Sequence, residues 1–172
     1  MRVTIRLETA GDIAGVRAVN LAAFEQAIEA DLVDRIRSSN NRSISIVALD
    51  SDTVVGHIFF TPATIQSGKN PVAGMALGPM AVLPDYQRKG IGSSLVELGI
   101  ALLRRRKCPY VIVLGHPNYY NKFGFTPAAS RGLECPWENV PKEAFMVLML
   151  DESVMSKVRG TVRYLPEFNS TL

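Results

Sequence analysis

Two basic residues and two glycines stand together in one short segment, Gln87-Arg88-Lys89-Gly90-Ile91-Gly92-Ser93. The segment follows an apolar stretch typical of a strand and precedes an amphipathic helix pattern. A helix start presents N–H groups that have no acceptor within the helix, and it carries a partial positive charge. Glycines let the backbone approach an anion closely, and Arg88 and Lys89 add formal positive charge. These residues suit a phosphate or pyrophosphate.

Other nucleotide-binding patterns fit this turn poorly. A Walker loop requires Gly-x-x-x-x-Gly-Lys-Ser/Thr, and that string does not occur in the chain. A dinucleotide fingerprint requires glycine or alanine where Leu95 stands. The pattern Gln/Arg-x-x-Gly-x-Gly/Ala after a strand does match residues 87–92. Spacing alone leaves a phosphate site and an ordinary capped turn as equal alternatives, because basic residues and glycines are common at helix starts.

The residues around the turn extend the pattern. The chain reads Leu77-Gly78-Pro79-Met80-Ala81-Val82-Leu83-Pro84-Asp85-Tyr86 before it and Tyr119-Tyr120-Asn121-Lys122-Phe123-Gly124-Phe125 after the next predicted strand. The first run, with the turn, resembles the acetyl-coenzyme A motif of the GNAT superfamily of N-acetyltransferases. The second run is similar to another signature of that family, an aromatic residue a few positions before Gly-Phe. Further similarity at residues 5–24, 55–58 and 145–168, the last two to a bacterial branch of the family, extends the resemblance over nearly the whole chain.

The resemblance implies a cofactor and the residues that bind it. Acetyl-CoA would donate an acetyl group directly to a primary amine of a small molecule or protein, and no metal is implied. The backbone of Ala81 and Val82 would hydrogen-bond the pantetheine arm, provided that strands 75–83 and 109–114 splay apart and free their polar groups. The residues expected to hold the pyrophosphate are Gln87, Arg88, Lys89, Gly90, Ile91, Gly92 and Ser93, although either cation could instead point into solvent.

The resemblance also implies catalytic groups. Tyr120 matches the tyrosine that protonates the departing thiolate in many members, and a phenol with a pKa of about 10 is protonated at neutral pH. Tyr120 could instead be an aromatic residue packed under the cofactor. The predicted strand 75–83 carries no carboxylate to accept the proton of the attacking amine. Glu29 is the first candidate for this base and Glu25 and His57 are alternatives, but Glu29 could be a solvated helix charge and His57 a core histidine, so the base remains unassigned.

Composition limits the remaining classes. The chain has 172 residues, of which 47% are hydrophobic and 20% charged, so one domain over 1–172 is expected and disorder is excluded. The net charge of +3 is too small to indicate nucleic acid. The densest basic run, Arg104-Arg105-Arg106-Lys107, is expected to complement the end of a helix.

Targeting and cysteine signals point to the cytoplasm. Charges at the N-terminus without an apolar stretch behind them indicate no signal peptide, and no apolar stretch is long enough for a membrane helix. Cys108 and Cys135 form no Cys-x-x-Cys motif and are expected to be reduced thiols. We expect acetyl-CoA and an amine as partners, no nucleic acid or membrane, and a monomer or homodimer.

The pattern of elements predicts a mixed α/β fold. An amphipathic helix ending at Phe24 could be capped by Thr9 or Asp12, and the segment Ser67–Gly74 has the composition of an exposed loop. The order of strands, helices, meander and strand–helix–strand crossover predicts one mixed sheet with helices on both faces. The resemblance implies a GNAT-like fold in which this sheet is largely antiparallel. The other predicted helices are Glu29–Arg37, Ile91–Arg106 and a turn near Tyr119, and the predicted strands are Val3–Leu7, Ser43–Leu49, Thr53–Phe60, Met75–Leu83, Pro109–Leu114, Phe145–Leu150 and Thr161–Leu165.

Two other functions compete with this hypothesis. A non-catalytic acyl-CoA-binding or sensing module would keep the turn without the chemistry, and the missing strand carboxylate leaves room for it. A nucleic-acid binder would show a steep salt dependence, but no aromatic-and-basic sheet motif supports one.

Overall fold

The computed structural model describes residues 2–39 and 42–171. The chain divides into two compact units. The first comprises the residues up to Phe60, Gly78–Leu102 and Glu167–Thr171, and the second comprises Thr61–Leu77 and Leu103–Pro166. Two long strands, β3 (Thr53–Ser67) and β4 (Asn70–Val82), contribute residues to both units.

The first unit has an antiparallel sheet and three helices. Its elements are β1 (Val3–Leu7), α1 (Ile13–Phe24), α2 (Ile28–Ser38), β2 (Ile44–Asp50), the first part of β3, the last part of β4 and most of α3 (Ile91–Arg105). The strand order in this unit is β1-β2-β3-β4. β1 pairs antiparallel with β2, from Val3↔Asp50 to Leu7↔Ile46. The predicted first strand, the two following helices and the β2–β3 hairpin are confirmed.

Small residues allow α3 to lie close to β3. A Cβ atom on Gly99 would lie 2.2 Å from Cζ of Phe60, and one on Gly56 would lie 3.1 Å from a methyl group of Ile91. Ile91 and Leu95 are buried on this side of α3. The start of α3 is therefore fixed by packing of its apolar face.

The second unit contains both parallel and antiparallel pairs. Its further strands are β5 (Tyr110–Leu114), β6 (Thr126–Pro127), β7 (Leu133–Glu134), β8 (Phe145–Met149) and β9 (Gly160–Arg163), with short helices α4 (Pro117–Tyr120) and α5 (Glu152–Met155). The order is β3-β4-β5-β8-β6, while β9 pairs with β3 and β7. β4 and β5 are parallel from Met75↔Val111 to Leu77↔Val113, and β5 and β8 are antiparallel. The mixed α/β fold is thus confirmed.

The predicted loop at Ser67–Gly74 is wrong. β3 continues to Ser67 and β4 begins at Asn70, so only Gly68 and Lys69 connect the two strands. Gly68 has a φ of 64°, a backbone conformation that glycine adopts without a Cβ clash. The turn-forming composition of this stretch therefore marks a hairpin tip, and its flanks are held by strand pairing that composition does not reveal.

Cys108 and Cys135 are both free cysteines. Over residues 2–39 and 42–171, no helix has the length and apolar character needed to cross a membrane. The same ranges contain no group of three or more His, Cys, Asp or Glu residues that could hold a metal ion.

Candidate active site

Backbone and side-chain hydrogen bonds fix the end of β4 to its own unit. The Leu83 N–H donates to the Val55 carbonyl at 2.9 Å. A 3-10 turn over Pro84–Tyr86 follows, and the Tyr86 hydroxyl donates to Oδ2 of Asp50 at 2.9 Å. The segment that leads into the basic turn therefore has a defined position against β2 and β3.

The basic turn reverses the chain into α3 through two left-handed residues. Arg88 has a φ of 58° and Gly90 a φ of 83°. The first helical hydrogen bond runs from the Ser94 N–H to the Gly90 carbonyl at 3.0 Å, so Gly90 is the N-cap residue. A 15-residue helix with an N-terminus of this kind attracts anions through its amides and its dipole.

The side chains of the turn are exposed, as an anion site requires. Gln87, Arg88, Lys89 and Gly90 are all exposed, while the next residue, Ile91, is only 5% exposed. Lys89 Nζ donates to the Asp85 carbonyl at 2.7 Å and is thereby drawn back toward its own turn. Both cations thus face solvent, and Lys89 also closes the turn.

A side chain already uses part of the backbone that was expected to bind pantetheine. Ala81 is buried and Val82 is partly buried near the end of β4. Gln87 Nε2 donates to the Val82 carbonyl at 3.0 Å. A carbonyl oxygen has two lone pairs, so a ligand can share this acceptor or displace the Gln87 side chain. The sequence did not predict this contact.

Tyr120 lies in the second unit, at the end of α4, within a cluster of aromatic rings. Tyr120 is 7% exposed. Its ring contacts Tyr119 edge-on at a centroid distance of 5.0 Å and Phe125 edge-on at 5.6 Å. Burial, with a smaller contribution from Tyr119, raises the pKa of the Tyr120 hydroxyl above its ordinary value. The phenol is therefore protonated at neutral pH, as a proton donor must be.

Glu29 is partly exposed on the first turn of α2. Gln26 Nε2 donates to both of its carboxylate oxygens, at 3.0 and 3.2 Å. The helix that carries it is attached to α1 by Arg17, which binds Asp31 at 2.9 Å and Asp34 at 2.7 Å. Glu29 is thus an accessible acceptor on a firmly held helix.

His57 is a core histidine and cannot meet a substrate. It is fully buried, and its Nδ1 lies 3.0 Å from Asn20 Nδ2 while its Nε2 lies 2.9 Å from Ser45 Oγ. The Asn20 amide also donates to the Val16 carbonyl at 2.9 Å, which fixes its nitrogen as the atom facing the ring. Nδ1 must therefore accept, the proton is on Nε2, and Nε2 donates to Ser45, which in turn donates to Glu8.

Electrostatics agree with a neutral His57. Burial, with a smaller contribution from the Arg37 charge, lowers the pKa of His57 to about 3. The Glu8 carboxylate lies 4.0 Å from Nε2 and favours the opposite shift, but Arg37 pairs with Glu8 at 2.6 Å. Burial and a low pKa thus favour the interpretation of His57 as a core histidine over that of His57 as the base.

Two comparisons with known proteins decide the family. A model described as the acetyltransferase (GNAT) family matches residues 14–125. The uncharacterized N-acetyltransferase YhbS of Escherichia coli strain K12 is 34% identical over 166 residues, which cover 96% of this chain and 98% of YhbS. This chain belongs to the GNAT acetyltransferase family. It is accordingly an acyltransferase.

Solved structures of GNAT proteins share the fold. The crystal structure of E. coli YhbS in complex with CoA has a TM-score of 0.92 at 32% identity, covering 98% of this chain and 93% of that chain. A GNAT acetyltransferase from Brucella melitensis in complex with acetyl-CoA has a TM-score of 0.78 at 31% identity, covering 97% of this chain and 98% of that one.

The site residues expected in this GNAT acetyltransferase fall into separate groups. Ala81, Val82 and the turn Gln87–Ser93 are together in the first unit, which also carries Glu29. Tyr120 belongs to the second unit. The sequence also missed two residues, of which only Gly115 contacts an expected site residue. Gly115 lies against the Tyr120 ring. Glu8 accepts a hydrogen bond from Ser45, the residue to which His57 Nε2 donates. No local motif marks either residue, because each contact joins segments distant in sequence or depends on the missing side chain of a glycine.

Proposed function

We propose that this GNAT protein transfers an acetyl group from acetyl-CoA to a primary amine of a small molecule or a protein. The observation that carries the proposal is the exposed, left-handed turn at Arg88–Gly90 leading into α3. E. coli YhbS binds CoA in its crystal structure, and the Brucella melitensis protein binds acetyl-CoA. The high coverage of both chains supports the same class of cofactor here.

The cofactor would be held mainly by backbone amides. Gly90, Ile91, Gly92 and Ser93 form the helix start at which the pyrophosphate would bind. Gln87, Arg88 and Lys89 would add side-chain donors or positive charge, and Ala81 and Val82 would bind the pantetheine arm through their backbone. The Gln87 contact with Val82 would loosen when the arm binds.

The reaction would be a direct attack of a neutral amine on the thioester carbonyl. The C–N bond forms, the C–S bond breaks, and the sulfur leaves as a thiolate. Tyr120 would donate its phenolic proton to that thiolate, since a phenol is protonated at neutral pH. Glu29 would accept the proton that the amine must lose.

We further propose that 1–172 acts as one catalytic domain, as a monomer or homodimer, in the cytoplasm. Two free cysteines support a reducing compartment. Direct acetyl transfer from a thioester to an amine needs no metal step.

Release of CoA thiol from acetyl-CoA, measured with a panel of amines, tests the proposal. We expect turnover with at least one primary amine, and Tyr120→Phe should lower kcat by about 10²-fold or more, because general acid catalysis contributes about 10²–10⁴-fold. Glu29→Gln should lower turnover most at pH values where the amine is protonated.

The main alternative gives a different result in the same assay. A non-catalytic acyl-CoA-binding module would bind acetyl-CoA tightly and show no turnover with any amine. Undiminished turnover of Tyr120→Phe with an efficient amine would instead remove only the general-acid role.

A further inference from the structure

Gly115 lies directly after β5 and against the ring of Tyr120. A Cβ atom on Gly115 would lie 2.4 Å from Cε2 and 2.9 Å from Cδ2 of that ring. The left-handed glycines of the chain do not include Gly115, so its backbone conformation does not require a glycine. What the ring requires at this position is the absence of a side chain.

The backbone that carries Gly115 is fixed. Its N–H donates to the Ala144 carbonyl at 2.9 Å, which ties the end of β5 to the residue before β8. The Tyr120 N–H donates to the His116 carbonyl at 3.1 Å, so the helical turn that carries the ring is bonded to the residue after Gly115. The ring and its support therefore cannot shift independently by much.

Other aromatic rings also pack against Tyr120. Phe125 meets it at an interplanar angle of 69° and is itself 2% exposed. Gly124 has a φ of 96°, which turns the chain so that Phe125 follows into the core. Tyr119 packs against it at 84°. The Tyr120 ring thus packs against the backbone at Gly115, the buried ring of Phe125 and the half-buried ring of Tyr119.

We propose that Gly115 is a positioning residue for acetyl transfer, and that it acts with Phe125 by fixing where the Tyr120 hydroxyl stands. The inference rests on the proposed role of Tyr120 as the proton donor. Proton transfer needs the donor within about 2.6–3.2 Å of its acceptor, and a misplacement of about 1 Å can cost about 10²-fold in rate. A contact of 2.4 Å is about 1 Å shorter than ordinary van der Waals contact, so a methyl group at Gly115 must displace the ring by a comparable amount.

Gly115→Ala tests the proposal, with Gly74→Ala as its matched control. A Cβ on Gly74 would lie 2.4 Å from Cζ of Tyr110, so both variants force a methyl group into a tyrosine ring of the same unit. We expect Gly115→Ala to lower kcat by about 10- to 100-fold, with KM for acetyl-CoA changed by less than about threefold. Gly74→Ala should lower thermal stability but leave kcat per folded molecule within about twofold.

A double variant separates positioning from general damage. Phe at position 120 keeps the ring that a Gly115 methyl would strike but lacks the hydroxyl. Adding Gly115→Ala to Tyr120→Phe should therefore cause no further loss of kcat beyond about twofold. If Gly115→Ala lowers the kcat of Tyr120→Phe as much as it lowers the kcat of the unaltered protein, the proposal is overturned, since Gly115 would then act by a route other than the Tyr120 hydroxyl.

The outcomes also separate this inference from the proposed function. If Tyr120→Phe retains full turnover, the general acid fails and Gly115 has nothing to position. If Tyr120→Phe loses turnover and Gly115→Ala does not, only the positioning role is overturned. Should Gly115→Ala fail to fold, Phe125→Leu, which removes another ring that packs against Tyr120, is tested by the same two criteria: the loss of kcat, and no further loss when it is added to Tyr120→Phe.

Discussion

At the scale of single residues, burial has different consequences for the two buried candidates for proton transfer. Two candidates for proton transfer, His57 and Tyr120, are both buried. Burial holds His57 neutral and both of its ring nitrogens lie at hydrogen-bond distance from core partners, so it stabilises the fold. Burial raises the pKa of the Tyr120 hydroxyl, so the phenol stays protonated at neutral pH but is a weaker acid than an exposed tyrosine.

His57 predicts a pH dependence of stability. Its pKa is about 3 in the folded chain against an ordinary 6.5, so the unfolded chain binds a proton that the folded chain does not between these values. The free energy of unfolding should therefore fall as the pH is lowered from 6.5, by up to about 1.4 kcal/mol per pH unit from this group. Denaturant titrations of His57→Gln should show a shallower slope down to about pH 5. His116→Gln, which removes an exposed histidine, should keep the slope. A His57 ring signal that titrates near 6.5 in NMR would contradict the prediction.

At the scale of elements, local pattern predicted most of the structure. The junction of β4, turn and α3 was evident because glycines, charges and amphipathic spacing coincide within one segment. The tip of the β3–β4 hairpin was misread as a loop because turn residues at Gly68 and Lys69 adjoin strand residues that only pairing identifies. The partners of His57 could not be predicted, since contacts distant in sequence leave no local periodicity. The packing of Gly115 against Tyr120 could not be predicted either, because it depends on the missing side chain of a glycine.

Two glycines allow the role of the turn to be separated from its backbone strain. Gly90 has a φ of 83° and Gly68 a φ of 64°, and at both positions a Cβ would meet nothing within 4 Å. Gly90→Ala and Gly68→Ala should each cost about 1–2 kcal/mol of stability, because an L-residue is strained in a left-handed conformation. Only Gly90→Ala should weaken the binding of CoA. We expect it to raise the Kd for CoA by about tenfold, because the amides of the helix start are reoriented. Isothermal titration with CoA measures this difference, and equal affinities in the two variants would contradict a cofactor site at the turn.

At the scale of the whole molecule, net charge was a poor guide to the partner. The excess of +3 could suit many anions. Arg88 and Lys89 lie at the start of α3, whereas Arg104 and Arg105 lie in its last turn, where they complement the helix dipole. The position of the charges, rather than their sum, is what supports the proposed phosphate site at this turn.

The proposal of one domain also makes a prediction for the whole molecule. β3 and β4 supply strands to both compact units, so unfolding either unit removes part of a strand that continues into the other. Calorimetry should therefore show one transition with equal calorimetric and van't Hoff enthalpies. CoA at about 100 times its Kd should raise the free energy of unfolding by about 2.7 kcal/mol and move the entire transition by roughly 5–10 °C. Pantetheine, which lacks the phosphates, should have a smaller effect at the same concentration. Two separate transitions, of which CoA moves only one, would contradict the single domain while leaving the cofactor site intact.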